Sequence, residues 1–280
     1  MPHLHHGAVA SLGSVRLTLI IVFTAFVYLR GWLHLHSMSL TVVAIWRAVS
    51  FWLGLVLIWV AVASPVAGLD HESLTVHMVQ HLLLMTLAPP LIWLGAPMTP
   101  LARGLPRHFV RAVLDPMFQW PPFERFGRGL AQPVVCWLAA AAALLAWHAP
   151  PAFALALQSE AWHRLEHASF LATGLLFWWP VVQASANGAK RPDWTIILYL
   201  FLATLPCDIL SGFLVFCDRV VYPVYSSSLR PFGLSALEDQ ECAGALMWIC
   251  VTLVYLVAGA ILTTRLLSAR ISREGELVQS

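Results

Sequence analysis

The stretch Leu74-Thr-Val-His77-Met78-Val-Gln80-His81-Leu-Leu-Leu-Met85-Thr-Leu-Ala88-Pro89-Pro90-Leu-Ile-Trp-Leu94 decides the fold. It holds no Asp, Glu, Lys or Arg, and it is as long as the run of about 20 apolar residues that carries an α-helix across a bilayer. It therefore reads as a transmembrane helix with two histidines built into its first turns. The same reading applies to Val15–Leu35, Trp46–Gly68, Pro133–Trp147, Trp162–Val182, Trp194–Phe216 and Gly244–Leu267. Pro133–Trp147 is short, although Ala-rich Leu130–Ala149 is long enough. The expected fold is an all-α, polytopic membrane bundle of about seven transmembrane helices. It forms a single integral membrane domain over residues 1–280, with no internal repeat.

Composition agrees. The chain is 59% hydrophobic and 11% charged, with a mean hydropathy of +0.76. Soluble domains are about a quarter charged. A net charge of +2 gives no basic field for nucleic acid. Many of the 13 Trp sit at span ends, where amphipathic rings favour the membrane interface. The five cysteines, Cys136, Cys207, Cys217, Cys242 and Cys250, form no C-x-x-C pair and no disulfide framework. The N-terminal residues lack the basic start and short apolar core of a cleaved signal peptide, so the first span is expected to stay.

Loop charge sets the orientation, because Lys and Arg concentrate in cytoplasmic loops. One side holds Arg30, Arg47, Arg103, Arg107, Arg111, Arg125, Arg128, Lys190, Arg191, Arg265, Arg270 and Arg273. The other holds Arg16, Arg164, Arg219 and Arg230. This bias predicts an outer N-terminus with a flexible tail over residues 1–14. It predicts a cytoplasmic Arg-rich loop over 96–131 and a cytoplasmic tail over 268–280.

In that topology nine of the 12 histidines lie outside: His3, His5, His6, His71, His77, His81, His148, His163 and His167. Ionisable groups within a bilayer are costly and mark function. His77 and His81 are one turn apart on one helix face, so both imidazoles can reach one ion. Met78 and Met85 add soft thioethers, which beside imidazole favour copper. His163 and His167 repeat the spacing, and Glu166 between them can orient a histidine. The alternative there is a solvated helix start with an Arg164–Glu166 surface cluster. Pro150-Pro151 stops the preceding helix and sets His148 at the rim. Asp208 lies roughly 20 Å along its helix from Trp194, in the outer third of the bilayer, where a carboxyl group needs a partner. Asp239, Cys242 and Cys250 share a quadrant of the last helix, with Met247 at its edge. Acids in a first helical turn also cap the dipole.

The motifs His77-Met78-x-x-His81, Ala88-Pro89-Pro90-Leu91, Leu94-Gly95-x-Pro97, Trp147-His148-x-Pro150, Glu166-His167-x-x-Phe170 and Phe177-Trp178-Trp179-Pro180 run in order. Tyr222-Pro223-x-Tyr225 and Glu238-Asp239-Gln240-x-x-Ala243-Gly244-x-x-Met247-Trp248 follow. Together with Tyr28-Leu-Arg-Gly31 they cover nearly the whole chain, which resembles the multi-spanning CtaG-type cytochrome c oxidase assembly family. The resemblance implies a multi-pass protein of the bacterial plasma membrane that serves assembly of a haem–copper oxidase. By implication it handles copper, receives it from a donor protein, and works with oxidase subunits. It also implies roles for His77, His81, His148, His167, Asp239 and Gln240. Cys207 and Cys242 match no family motif.

The copper reading takes His77, His81 and His167 as main ligands, with His148, His163, Met78, Met247, Asp208, Asp239 and Cys242 as further candidates. A b-type haem site is an alternative, but histidine pairs on one helix face suit a compact ion better than a flat macrocycle. A metallohydrolase is another, since His-x-x-x-His is the zincin skeleton. Met78 stands where its general-base Glu would be, Asp208 or Asp239 would have to substitute, and no catalytic residue is assigned. A metal-free scaffold for oxidase subunits is the fourth.

Overall fold

The computed structural model describes residues 3–37, 44–186, 194–227 and 233–279, with side chains described over 13–37, 44–184, 194–226 and 233–268. Lys190, Arg191 and Arg230 lie outside the described residues, as do the side chains of His3, His5, His6, Arg270 and Arg273. Among the described residues all regular structure is helical.

The principal helices are α1 (His3–His36), α2 (Ile45–Ala63), α3 (Leu74–Leu94), α4 (Met98–Gly104), α5 (Pro121–Leu130), α6 (Pro133–His148), α7 (Pro150–Gln158), α8 (Glu160–Ala186), α9 (Trp194–Phe216) and α10 (Ala236–Gln279). Prolines at the first positions of α5, α6 and α7 start those helices where an N–H would have no partner. Five helical segments are long and apolar enough to cross a membrane: Gly13–His36, Ile45–Ala63, Leu74–Leu94, Trp194–Phe216 and Ala236–Ser268. The pair α5 and α6 adds a sixth if a bend of 68° between them is counted within one span. The outer faces of the long helices expose large apolar side chains such as Phe23, Trp52, Phe213 and Leu256. That surface suits lipid rather than water.

Three stretches differ from expectation. The Arg-rich connection over 96–131 is mostly short helices rather than open loop. The expected cytoplasmic tail continues α10 as far as Gln279. The backbone of α1 begins at His3, within the stretch expected to be a tail.

Among the described residues the two largest of three cores organise the bundle. The larger gathers side chains of α3, α6, α8, α9 and α10. The smaller joins α1 and α2, with Tyr28 stacked on Phe51 at 3.9 Å and donating its hydroxyl to the Gly95 carbonyl at 3.0 Å. Gly31 of α1 meets the Pro100 carbonyl of α4, and Gly104 meets the Val27 carbonyl. No side chain fits at that crossing.

The packing of α3 on α8 positions the histidines. Within α3, Leu83–Leu87 is a π-helical turn, a feature that often accompanies functional sites. Pro89 has no N–H to give the Met85 carbonyl, and Trp178 of α8 donates its indole N–H there instead at 3.2 Å. The backbones approach closely at Gly174, where a Cβ would stand 2.8 Å from the Met85 oxygen.

Candidate metal centre

The first turns of α3 and α8 face each other at one end of the larger core. His77 and His81 sit one turn apart on α3, their ring centroids 4.4 Å apart. His163 and His167 sit one turn apart on α8, at 4.2 Å. Across the interface His77 lies 5.4 Å from His163 and 6.2 Å from His167, and His81 lies 6.0 Å from His167. His148, the last residue of α6, closes the third side, 5.5 Å from His81.

Glu166 stands in the middle. One carboxylate oxygen lies 3.6 Å from His77 Nε2 and the other 3.4 Å from His81 Nε2. Glu166 and His77 are both 0% exposed. Sequence reasoning gave Glu166 an orienting role or a place on a surface cluster. The surface cluster is overturned: Arg164 is exposed and pairs with Glu160 at 2.9 Å, while Glu166 points into the bundle.

These groups lack ordinary partners. Both ring nitrogens of His77 and of His81, Nε2 of His163 and of His167, and both oxygens of Glu166 are buried without a hydrogen bond. Buried polar atoms are nearly always satisfied, and a converging set of orphans is one that a cation could satisfy. Two groups have donor atoms close enough to hold one: His77, His163 and Glu166, and His81, Glu166 and His167. Imidazole and carboxylate donors suit borderline transition metals. A third group, Asp70, His71 and His163, lies toward the surface. There Asp70 is buried 3.3 Å from His163 and 3.7 Å from the exposed His71. Asp70 was not singled out from the sequence. The only available hint was its place beside His71 just ahead of α3.

His148 is differently placed. Its Nδ1 lies 2.8 Å from the Leu144 carbonyl, and its Nε2 lies 3.3 Å from Met78 Sδ. Beyond it the site opens into a largely apolar pocket. His81, Met85, His148, Cys207 and Met247 line it among apolar side chains. Met78 lies against His148, and Met247 lines the same pocket as His81 and His148.

The remaining candidates are not brought together. Asp239 accepts the Ser73 hydroxyl at 3.0 Å and the amides of Leu74 and Thr75 at 2.6 and 3.2 Å. Its carboxylate therefore caps α3, where the helix dipole favours an anion, and the expected ligand role gives way to this one. Cys242 is exposed on α10 and points away from the larger core. Asp208 is half-buried, one oxygen without a hydrogen bond, and belongs to none of the converging groups among the described residues.

A roof covers the histidines. Phe153 of α7 lies 4.9 Å from the His77 ring and 4.1 Å from Tyr222. Tyr222 donates to the His148 carbonyl at 2.9 Å, and Tyr225 donates to the Asp70 carbonyl at 2.8 Å. Burial pushes both phenols above their ordinary range, so they remain donors at physiological pH. Gln240 accepts from the Val221 amide at 2.7 Å and donates to the Leu214 and Arg219 carbonyls. The motif residues of the loop and of α10 thus hold the roof.

Comparison with known proteins identifies the family. Residues 26–269 match the family model described as cytochrome c oxidase caa3 assembly factor (Caa3_CtaG). Uncharacterized proteins of Mycobacterium bovis and Mycobacterium tuberculosis are each 25% identical over 208 residues, covering 71% of this chain and 31% of theirs. The chain thus spans about a third of the length of the curated relatives it matches. No solved structure matches. The matched region contains every residue of the histidine cluster and its roof, and the chain belongs to the cytochrome c oxidase caa3 assembly factor family.

Proposed function

We propose that this protein binds copper in the cluster of His77, His81, His163, Glu166 and His167 and helps deliver it to a cytochrome c oxidase during assembly. One observation carries the reading: a buried carboxylate and four imidazoles converge with their polar atoms unpartnered. A bound cation would satisfy them together. Copper is favoured over zinc because Met78 approaches His148, and Met85, Met247 and Cys207 line the adjoining cavity. Soft donors next to imidazoles suit a copper ion that must be held and then released.

In this reading α6 and α8 cross the membrane too, giving seven spans. The N-terminus and the histidine cluster face the outer side of a bacterial plasma membrane, and the C-terminus is cytoplasmic. A copper donor would approach from outside, and oxidase subunits would receive the ion. The protein is a binding factor, not an enzyme.

The test is copper content. Protein purified after copper loading should retain copper, and the His77→Ala/His81→Ala double variant should retain less than a tenth as much. Oxidase from cells carrying that variant should be correspondingly copper-poor. Equal copper in both proteins would refute the assignment.

A further inference from the structure

The two oxygens of Glu166 face different histidines, and the resulting donor groups share no residue but Glu166. We propose that the centre holds two metal ions at once, bridged by the Glu166 carboxylate. The inference rests on the copper reading above and specifies the form of that same site.

The geometry is that of neighbouring ligands rather than of hydrogen bonds. Metal–nitrogen and metal–oxygen bonds of about 2 Å place adjacent donors of a tetrahedral ion about 3.3 Å apart. The observed separations are 3.6 Å for His77 Nε2 and 3.4 Å for His81 Nε2, each to its own oxygen. One ion then sits among His77, His163 and Glu166, the other among His81, His167 and Glu166. Ions in two-metal sites lie about 3.5–4 Å apart, close to the 4.4 Å and 4.2 Å that separate the rings of His77 from His81 and of His163 from His167.

The unpartnered donor atoms support the pair. Glu166 is wholly buried, and no Lys or Arg among the described residues forms an ion pair with it. A single ion on either side would leave the second oxygen and two imidazoles unsatisfied. Filling both positions engages all five residues. Asp70 extends the first position outward, 3.3 Å from His163.

The experiment loads the purified full chain with Cu(I) under anaerobic conditions and, separately, with Cu(II). Bound copper per chain is measured after desalting, and paramagnetic resonance is recorded on the Cu(II) sample. Two ions per chain are expected, with the Cu(II) signal depleted by coupling across the bridge. His163→Ala and His167→Ala should each hold one ion and restore an isolated Cu(II) signal. Glu166→Gln, which keeps the side-chain shape, should lose the coupling. Arg164→Ala, on the exposed face of α8, should behave as wild type. One ion per wild-type chain in both states would overturn the pair and leave the copper reading intact. Two ions with uncoupled signals would overturn the bridge. No bound copper would overturn both readings. The wild-type measurements decide alone if a variant fails to fold.

Discussion

Ser73 donates its hydroxyl to the Asp239 carboxylate at 3.0 Å, across 166 positions of chain. The same carboxylate takes the first amides of α3, and Thr75 returns a hydroxyl to the Asp239 backbone oxygen at 3.1 Å. The helix that carries His77 and His81 is thereby fixed, at its first residue, to the last helix of the bundle.

Replacing Asp239 by Ala removes that cap and leaves buried amides unpaired. The loss should be about 1–3 kcal/mol of stability, read as a lower unfolding temperature in detergent. Copper per folded chain should stay close to wild type, because Asp239 is a capping residue. A direct ligand role would instead strip copper while leaving the unfolding temperature unchanged.

Gly174→Ala should separate α3 from α8, because the new methyl meets the Met85 backbone rather than a movable side chain. Overpacking of this kind costs about 1–3 kcal/mol. Copper retention should fall with it, since the site straddles that interface. Thermal unfolding and metal content of the same preparation check both effects.

Tyr225→Phe removes the donor to the buried Asp70 carbonyl. An unsatisfied buried acceptor costs about 1–3 kcal/mol. Hydrogen exchange should rise in Asp70–Ser73 and in the Pro223–Ser227 turn, the two sides of the lost contact. Unchanged exchange there would contradict the roof as described.

Met78→Leu keeps the volume of a side chain that packs wholly inside the bundle but removes the sulfur 3.3 Å from His148 Nε2. Cu(I) affinity should weaken about tenfold, or about 1.4 kcal/mol, while Cu(II) affinity changes little. Competition with a chromophoric chelator distinguishes these outcomes.

Local patterns made part of this site legible. The four-residue spacing of His77 with His81, and of His163 with His167, follows from helix geometry alone. Pro150 ends α6 beside His148 as expected. What stayed hidden depended on contacts between distant elements. Glu166 reads from its neighbours as an orienting or surface group, and only the facing turn of α3 turns its carboxylate into the centre of the cluster. Asp239 shares a helix face with cysteines, yet its partners come from Ser73–Thr75. Asp70 lies in a non-periodic connection, where no spacing rule applies. The short α6 was legible, Pro133–Trp147 being expected and Pro133–His148 found, but the sharp bend between α5 and α6 was not.

The most direct test of the central claim is metal analysis of the wild-type protein purified from copper-replete cells, with an optical spectrum of the same sample. Under that claim, copper in at least molar amount and no Soret band are expected. A sample holding haem, or holding no transition metal after copper loading, would contradict it.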